Sequence, residues 1–104
     1  MELDLSLENK EIYLGIKIES FGGRKSFELN QDNLNLIGDN ISEHVKNIRR
    51  RFKDGSADIK DKDSVVLTGA TAIPVYLVAF HVVVHNFHEV RFKNEMLEVI
   101  VAKH

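Results

Sequence analysis

Val65-Val66-Leu67-Thr68-Gly69-Ala70-Thr71-Ala72-Ile73-Pro74, continued by the apolar segment from Val75 to His88, is the stretch whose reading decides the fold. Ser64 to Thr68 is a short, β-branched apolar run, which predicts a buried strand. Both of its faces are expected to be covered, which places it centrally with a parallel neighbour. Gly69 to Ala72 is a small-residue turn. Pro74 suits the first turn of a helix, where its missing N–H leaves no bond unmade. Val75 to about Phe87 is then a helix, held by packing because valine is a poor helix former alone. Val65 to Val84 is also the longest apolar region, but the Gly69–Pro74 break and His81 mark it as core rather than a membrane span.

Downstream, Glu89 to Lys93 and Leu97 to Ala102 read as two strands joined at Asn94-Glu95-Met96. Upstream, Leu34, Ile37, Ile41, Val45, Ile48 and Phe52 recur every three or four residues, the stripe of a helix within Asn30 to Lys53. Gly38 predicts a late start, near Asp39-Asn40. Arg49-Arg50-Arg51 suits the negative end of the helix dipole. Asp54-Gly55-Ser56 ends the helix, and Ala57 to Asp63 is a polar connection. Before it, Leu3, Leu5 and Leu7 alternate with polar residues, as do Ile12, Leu14, Ile16 and Ile18. Phe21-Gly22-Gly23-Arg24 is a turn signal, with Phe27 and Leu29 closing a short third strand. Residues 1–29 are therefore expected to form an antiparallel meander. The order is βββαβαββ: an α+β fold with a mixed sheet and two helices, forming a single domain over residues 1–104.

The 104 residues include no cysteine, which excludes disulfides and thiol ligands. A reducing, cytoplasmic setting is compatible with that. The acidic, alternating N-terminus shows no signal peptide. A net charge of −2 does not suit a general nucleic-acid coat, and DNA is not an expected partner.

Three features bear on chemistry. His81, His85 and His88 stand at i, i+4 and i+7, one helix face that can ligate zinc or manganese. The same stripe also reads as a core His81 with two solvated histidines. Thr68-Gly69-Ala70-Thr71 either cradles an anion with its backbone N–H groups or is a plain βα turn; it is no P-loop, lacking Gly-Lys-Ser/Thr. Arg49-Arg50-Arg51 is a phosphate contact or a solvated helix end. Asp58, Asp61 and Asp63 lack the Gly and closing Glu of a calcium loop.

Residues 65–104 resemble the CRISPR-associated type III ring nucleases, a family of similar length that binds cyclic tetra-adenylate. Val65-Val66-Leu67-Thr68-Gly69 matches that family's strand end and Ile73 falls near its loop isoleucine. His81 matches its helix histidine and His85 a following one. Val99-Ile100-Val101-Ala102-Lys103-His104 matches its closing strand and terminal histidine. Ala70-Thr71 replaces the family's Arg-Gly, Lys93-Asn94-Glu95-Met96 lacks its Asp and Arg, and one family histidine falls near Val84. The resemblance therefore implies a relative that binds the ring without cutting it, like the sensing cytosolic domain of a type III CRISPR membrane effector. It implies a homo-oligomer, dimer or tetramer, attached in the full-length protein to an inner-membrane segment. The implied ligand site is Thr68, Gly69, Ala70, Thr71, His81, His85, Lys103 and His104. Backbone N–H groups and Lys103 would take phosphate, with the imidazoles on adenine or ribose. No cofactor is implied. The alternatives are a manganese-dependent ring nuclease using His81, His85 and His104, and an interaction domain with no small ligand.

Overall fold

Eight elements follow in the expected order, an α+β arrangement. They are β1 (Glu2–Asp4), β2 (Glu19–Phe21), β3 (Arg24–Ser26), α1 (Gln31–Lys53), β4 (Ser64–Thr68), α2 (Ile73–Val84), β5 (Glu89–Lys93) and β6 (Glu98–Lys103). The computed structural model describes residues 1–53 and 64–103, with Phe52 and Lys53 described by backbone alone. The expected helix stop at Asp54-Gly55-Ser56, the connection through Asp63 with its three aspartates, and His104 lie outside the described residues.

β4 is central, as its composition predicts. It pairs parallel with β1 on one side and with β5 on the other, and β6 completes the sheet antiparallel to β5. The meander expected over residues 1–29 does not form. β1 leaves its neighbours in sequence and pairs with β4, Leu3 lying opposite Leu67. β2 and β3 form a separate two-stranded hairpin whose residues are all exposed. It turns at Gly22 and Gly23, both at positive φ, the backbone that favours glycine in a two-residue hairpin loop. The alternation of Ile12, Leu14, Ile16 and Ile18 proves to be a turn segment. Ile16 N–H bonds to the Tyr13 carbonyl, and Ile12, Tyr13 and Ile16 bury together while Leu14 stays exposed. The pattern suited a strand; tertiary burial at spacings of one, three and four won.

α1 begins at Gln31, more than two turns earlier than the start near Asp39-Asn40 that Gly38 suggested. Asn30 explains the start. Its side-chain oxygen accepts the Asn33 N–H at 2.8 Å, satisfying one of the helix's orphan donors. Gly38 is tolerated because it faces α2: a Cβ there would stand 3.2 Å from a Val78 methyl. The glycine lets the helices approach closely.

Both parallel connections advance the same way across the sheet. Crossovers of one hand then put α1 and α2 on the same face, where the two helices pack on each other. Leu3, Val65, Leu67 and Val90 meet Ile37, Ile41 and Val45 of α1 and Val75, Ala79 and Val83 of α2 in one buried cluster. Among the described residues, no element covers the opposite face. Val66 is therefore half-buried, correcting the expectation that β4 is covered on both faces. Val66 lies beside Arg91 in register, and Arg91 bonds Glu89 at 2.9 Å, so a charged side chain lines this face.

Replacing Gly38 by Leu should wedge α1 from α2. Overpacking of this kind costs about 1–3 kcal/mol, which urea denaturation should show as a lowered midpoint with the slope unchanged.

Candidate functional site

The β4–α2 turn is fixed by two tyrosines from different parts of the chain. Tyr13 donates its hydroxyl proton to the Leu5 carbonyl at 2.6 Å, which leaves its oxygen to accept from the Thr71 hydroxyl at 2.8 Å. Tyr76, on the first turn of α2, donates to the Gly69 carbonyl and accepts the Thr71 N–H. Burial pushes the Tyr13 phenol above its ordinary pKa; the Thr71 hydroxyl acts against that shift, and Tyr76 and Asp4 add to it. Neither tyrosine stood out in the sequence, because their partners are far away in chain order.

Gly69 has φ +90, and its lack of a side chain serves packing. A Cβ there would overlap the Asp4 carboxylate and stand 2.6 Å from the Ser6 backbone nitrogen. The close approach predicted for a ligand is thus taken by the end of β1. The start of α2 is also poor in free donors. Pro74 has none, Val75 N–H turns to the Ala72 carbonyl, and Ala72 gives no side-chain cap. Thr68, Gly69, Ala70 and Thr71 therefore form a braced corner, with Ala70 the exposed member.

The remaining expected residues stand elsewhere. Lys103 pairs with Glu89 across the sheet, and Glu89 with Ser64, at the N-terminal end of β4. Five residues of strand, about 16 Å, separate that end from Gly69. α2 runs opposite to β4, so His85, its C-cap, also lies at the Lys103 end. One chain does not bring Lys103 and the Gly69 turn together. His81 and His85 are exposed neighbours with ring centroids 5.5 Å apart. His81 is therefore not the core histidine that one reading of the stripe expected. Among the described residues, no three His, Asp or Glu groups are placed to hold one metal ion.

His81 does line an open groove between α1 and α2. Its α1 wall carries Gln31, Asn35, Asp39 and Ser42; its α2 wall and floor carry Leu77, Val78 and Val82, with Leu34. Gln31 donates to the Asn35 side chain at 2.8 Å, aligning the two amides. Positions 31, 35, 39 and 42 step by four, four and three, one polar stripe on a helix. The stripe is present in the sequence, but the apolar stripe of the same helix is the stronger periodic signal. Lys46 and Arg49 continue it, and Arg49 donates to the Asn86 side chain at 2.8 Å, tying the C-terminal ends of both helices together. The groove thus carries amides toward its N-terminal end and an imidazole toward its C-terminal end, with a guanidinium beyond it.

No protein-family model, no curated protein and no solved structure gives a significant match to this chain. Among the described residues, no helix is long and apolar enough to cross a membrane.

Tyr13→Phe removes the donor to Leu5 and strands the Thr71 hydroxyl, which should cost about 1–3 kcal/mol at neutral pH. The raised phenol pKa adds a pH signature. Its stabilisation is complete below the unfolded value of 10.0 and is lost as pH rises through the folded value. Chemical denaturation between pH 8 and 11 should therefore show a smaller alkaline loss in Tyr13→Phe. Gly69→Ala should be the more damaging change, lowering Tm by more than about 10 °C, since clash and positive φ together exceed about 2 kcal/mol.

Proposed function

We propose that this domain is a non-catalytic receptor for cyclic tetra-adenylate, the sensing part of a type III CRISPR antiviral effector, acting as a homo-oligomer. Two lines support the reading: the resemblance of residues 65–104, and the chemistry of the α1–α2 groove. The observation that carries it is His81, exposed in the groove whose lining also holds the hydrogen-bonded amides of Gln31 and Asn35. Side-chain amides are the groups that pair with the donor and acceptor on an adenine edge, and imidazoles stack on unpaired bases. Leu77 and Val78 offer an apolar surface to a purine face. Lys46 and Arg49 continue the same stripe of α1 beyond the groove and would give a phosphate of the ring a cationic partner.

In this reading the base sits in the groove, and the Gly69 turn serves as the brace that orients α2 under it. A ring of four like nucleotides presents the same chemistry several times, so each copy of a symmetric assembly needs to neutralise about one phosphate. A net charge of −2 per chain is then no obstacle. The His81–His85 ring pair favours a second reading, a manganese-dependent nuclease, since imidazoles at i and i+4 on a helix suit a divalent metal.

Calorimetric titration with cyclic tetra-adenylate should give saturable heat that His81→Ala weakens by about 5- to 100-fold, the range of one lost base stack. Circular dichroism of the variant should be unchanged, as His81 is exposed. Absence of heat with a folded protein would refute the reading. Chromatography of the same mixture with Mn²⁺ should return the intact ring; a linear product would favour the nuclease.

A further inference from the structure

The sheet has two edges, and they are built differently. β1 is three residues long, Glu2-Leu3-Asp4, with acidic residues at both ends. A short, charged edge resists pairing with another chain. β6 is six residues long and has no charge or proline between Glu98 and Lys103. Leu97, Val99, Ile100 and Val101 are each 43–47% exposed, and Met96 beside them is 91% exposed. A long apolar edge is a ready template for strand pairing.

The charges at its ends indicate what covers it. In the β5–β6 hairpin, Val90 pairs with Ala102 and Arg91 with Ile100, leaving Val101 as the extra residue of a bulge. Glu89, Arg91 and Lys93 share one face of β5, so their partners Lys103, Ile100 and Glu98 share that face as well. Without the bulge, Glu98 and Lys103 are five apart and fall on opposite faces. With it, they stand together on the face away from the helices.

That placement meets the requirement of a two-fold axis normal to a sheet, which pairs strands antiparallel and keeps each face on its own side. We infer that β6 pairs with β6 of a second copy of this chain, Glu98 of each lying opposite Lys103 of the other. The same register sets Val99 against Ala102, both on the helix face, and Ile100 against Val101 at the axis. Each row of charge then alternates in sign: Lys93 and Glu98 from one copy, Lys103 and Glu89 from the other. Opposite charges directly across strands stabilise such a pair, and like charges destabilise it. The result is a continuous eight-stranded sheet with all four helices on one side. The inference rests on the β6 edge and is independent of any ligand.

The chain has no cysteine, so single cysteines report pairing cleanly. Sedimentation equilibrium without nucleotide should give about twice the 11.9 kDa chain mass, and Val101→Lys, which sets two ammonium groups at the axis, should give the monomer. An equimolar mixture of Glu98→Cys and Lys103→Cys proteins, allowed to exchange and then oxidised, should cross-link at least fivefold more than either alone. Both positions are exposed, so these variants should fold. A monomeric wild type overturns the proposal, as does a dimer that survives Val101→Lys or a mixture that cross-links no better than its components.

Discussion

The close passage of Gly69 against the end of β1 is the constraint on which the rest of this structure depends. There the chain leaves β4 for α2 while β1 leaves the sheet, and the two backbones cross with no room for a side chain. Asp4 turns its carboxylate onto the Ser6 N–H, and Leu5 N–H reaches the Thr68 carbonyl at 2.7 Å. Tyr13 and Tyr76 then tie the following residues from either side. With this corner fixed, α2 can lie only along β4 and β5, and α1 only beside α2. The core, the groove and the open face all follow from that placement.

Stacking both helices on one face leaves three surfaces with different character. The far face carries the ion pairs of Arg91 with Glu89 and Glu98. Arg91 holds the Glu89 carboxyl below its usual pKa, chiefly through their hydrogen bond. The helix–helix junction stays open above Gly38, where polar side chains of α1 and apolar ones of α2 line a groove rather than fill it. The β6 edge receives too little cover from α2 and keeps its apolar residues in contact with water. Each surface is a consequence of crossovers that advance in one direction, which is a topological cause rather than a compositional one.

Much of this was legible in the residues. The β4–turn–α2 unit, the hairpin of β5 and β6, and the apolar stripe of α1 could be read from period, β-branching and turn chemistry, because those signals are local. The pairing of β1 with β4 could not, since three alternating leucines specify a half-buried strand but not its neighbour. Ile12 and Ile16 misled for a related reason: short apolar spacings fit a strand and a buried turn equally. Asn30 was the missed signal for the start of α1, overshadowed by Gly38. Around the groove, His81 and His85 stood out in the sequence, and the polar stripe Gln31, Asn35, Asp39 and Ser42 did not. Its partner surface is on another helix, which only the tertiary fold brings near. Gly69 stood out in the sequence, and its close backbone approach is to the end of β1.

Thermal shift across a panel of cyclic tri-, tetra- and hexa-adenylate, linear tetra-adenylate and AMP tests the central claim most directly. Binding to the folded state alone raises Tm with the logarithm of ligand excess over Kd. The account predicts a rise of several degrees for cyclic tetra-adenylate that exceeds that for every other compound and shrinks in His81→Ala. An unchanged Tm across the whole panel, or an equal rise for the linear tetramer, would contradict it.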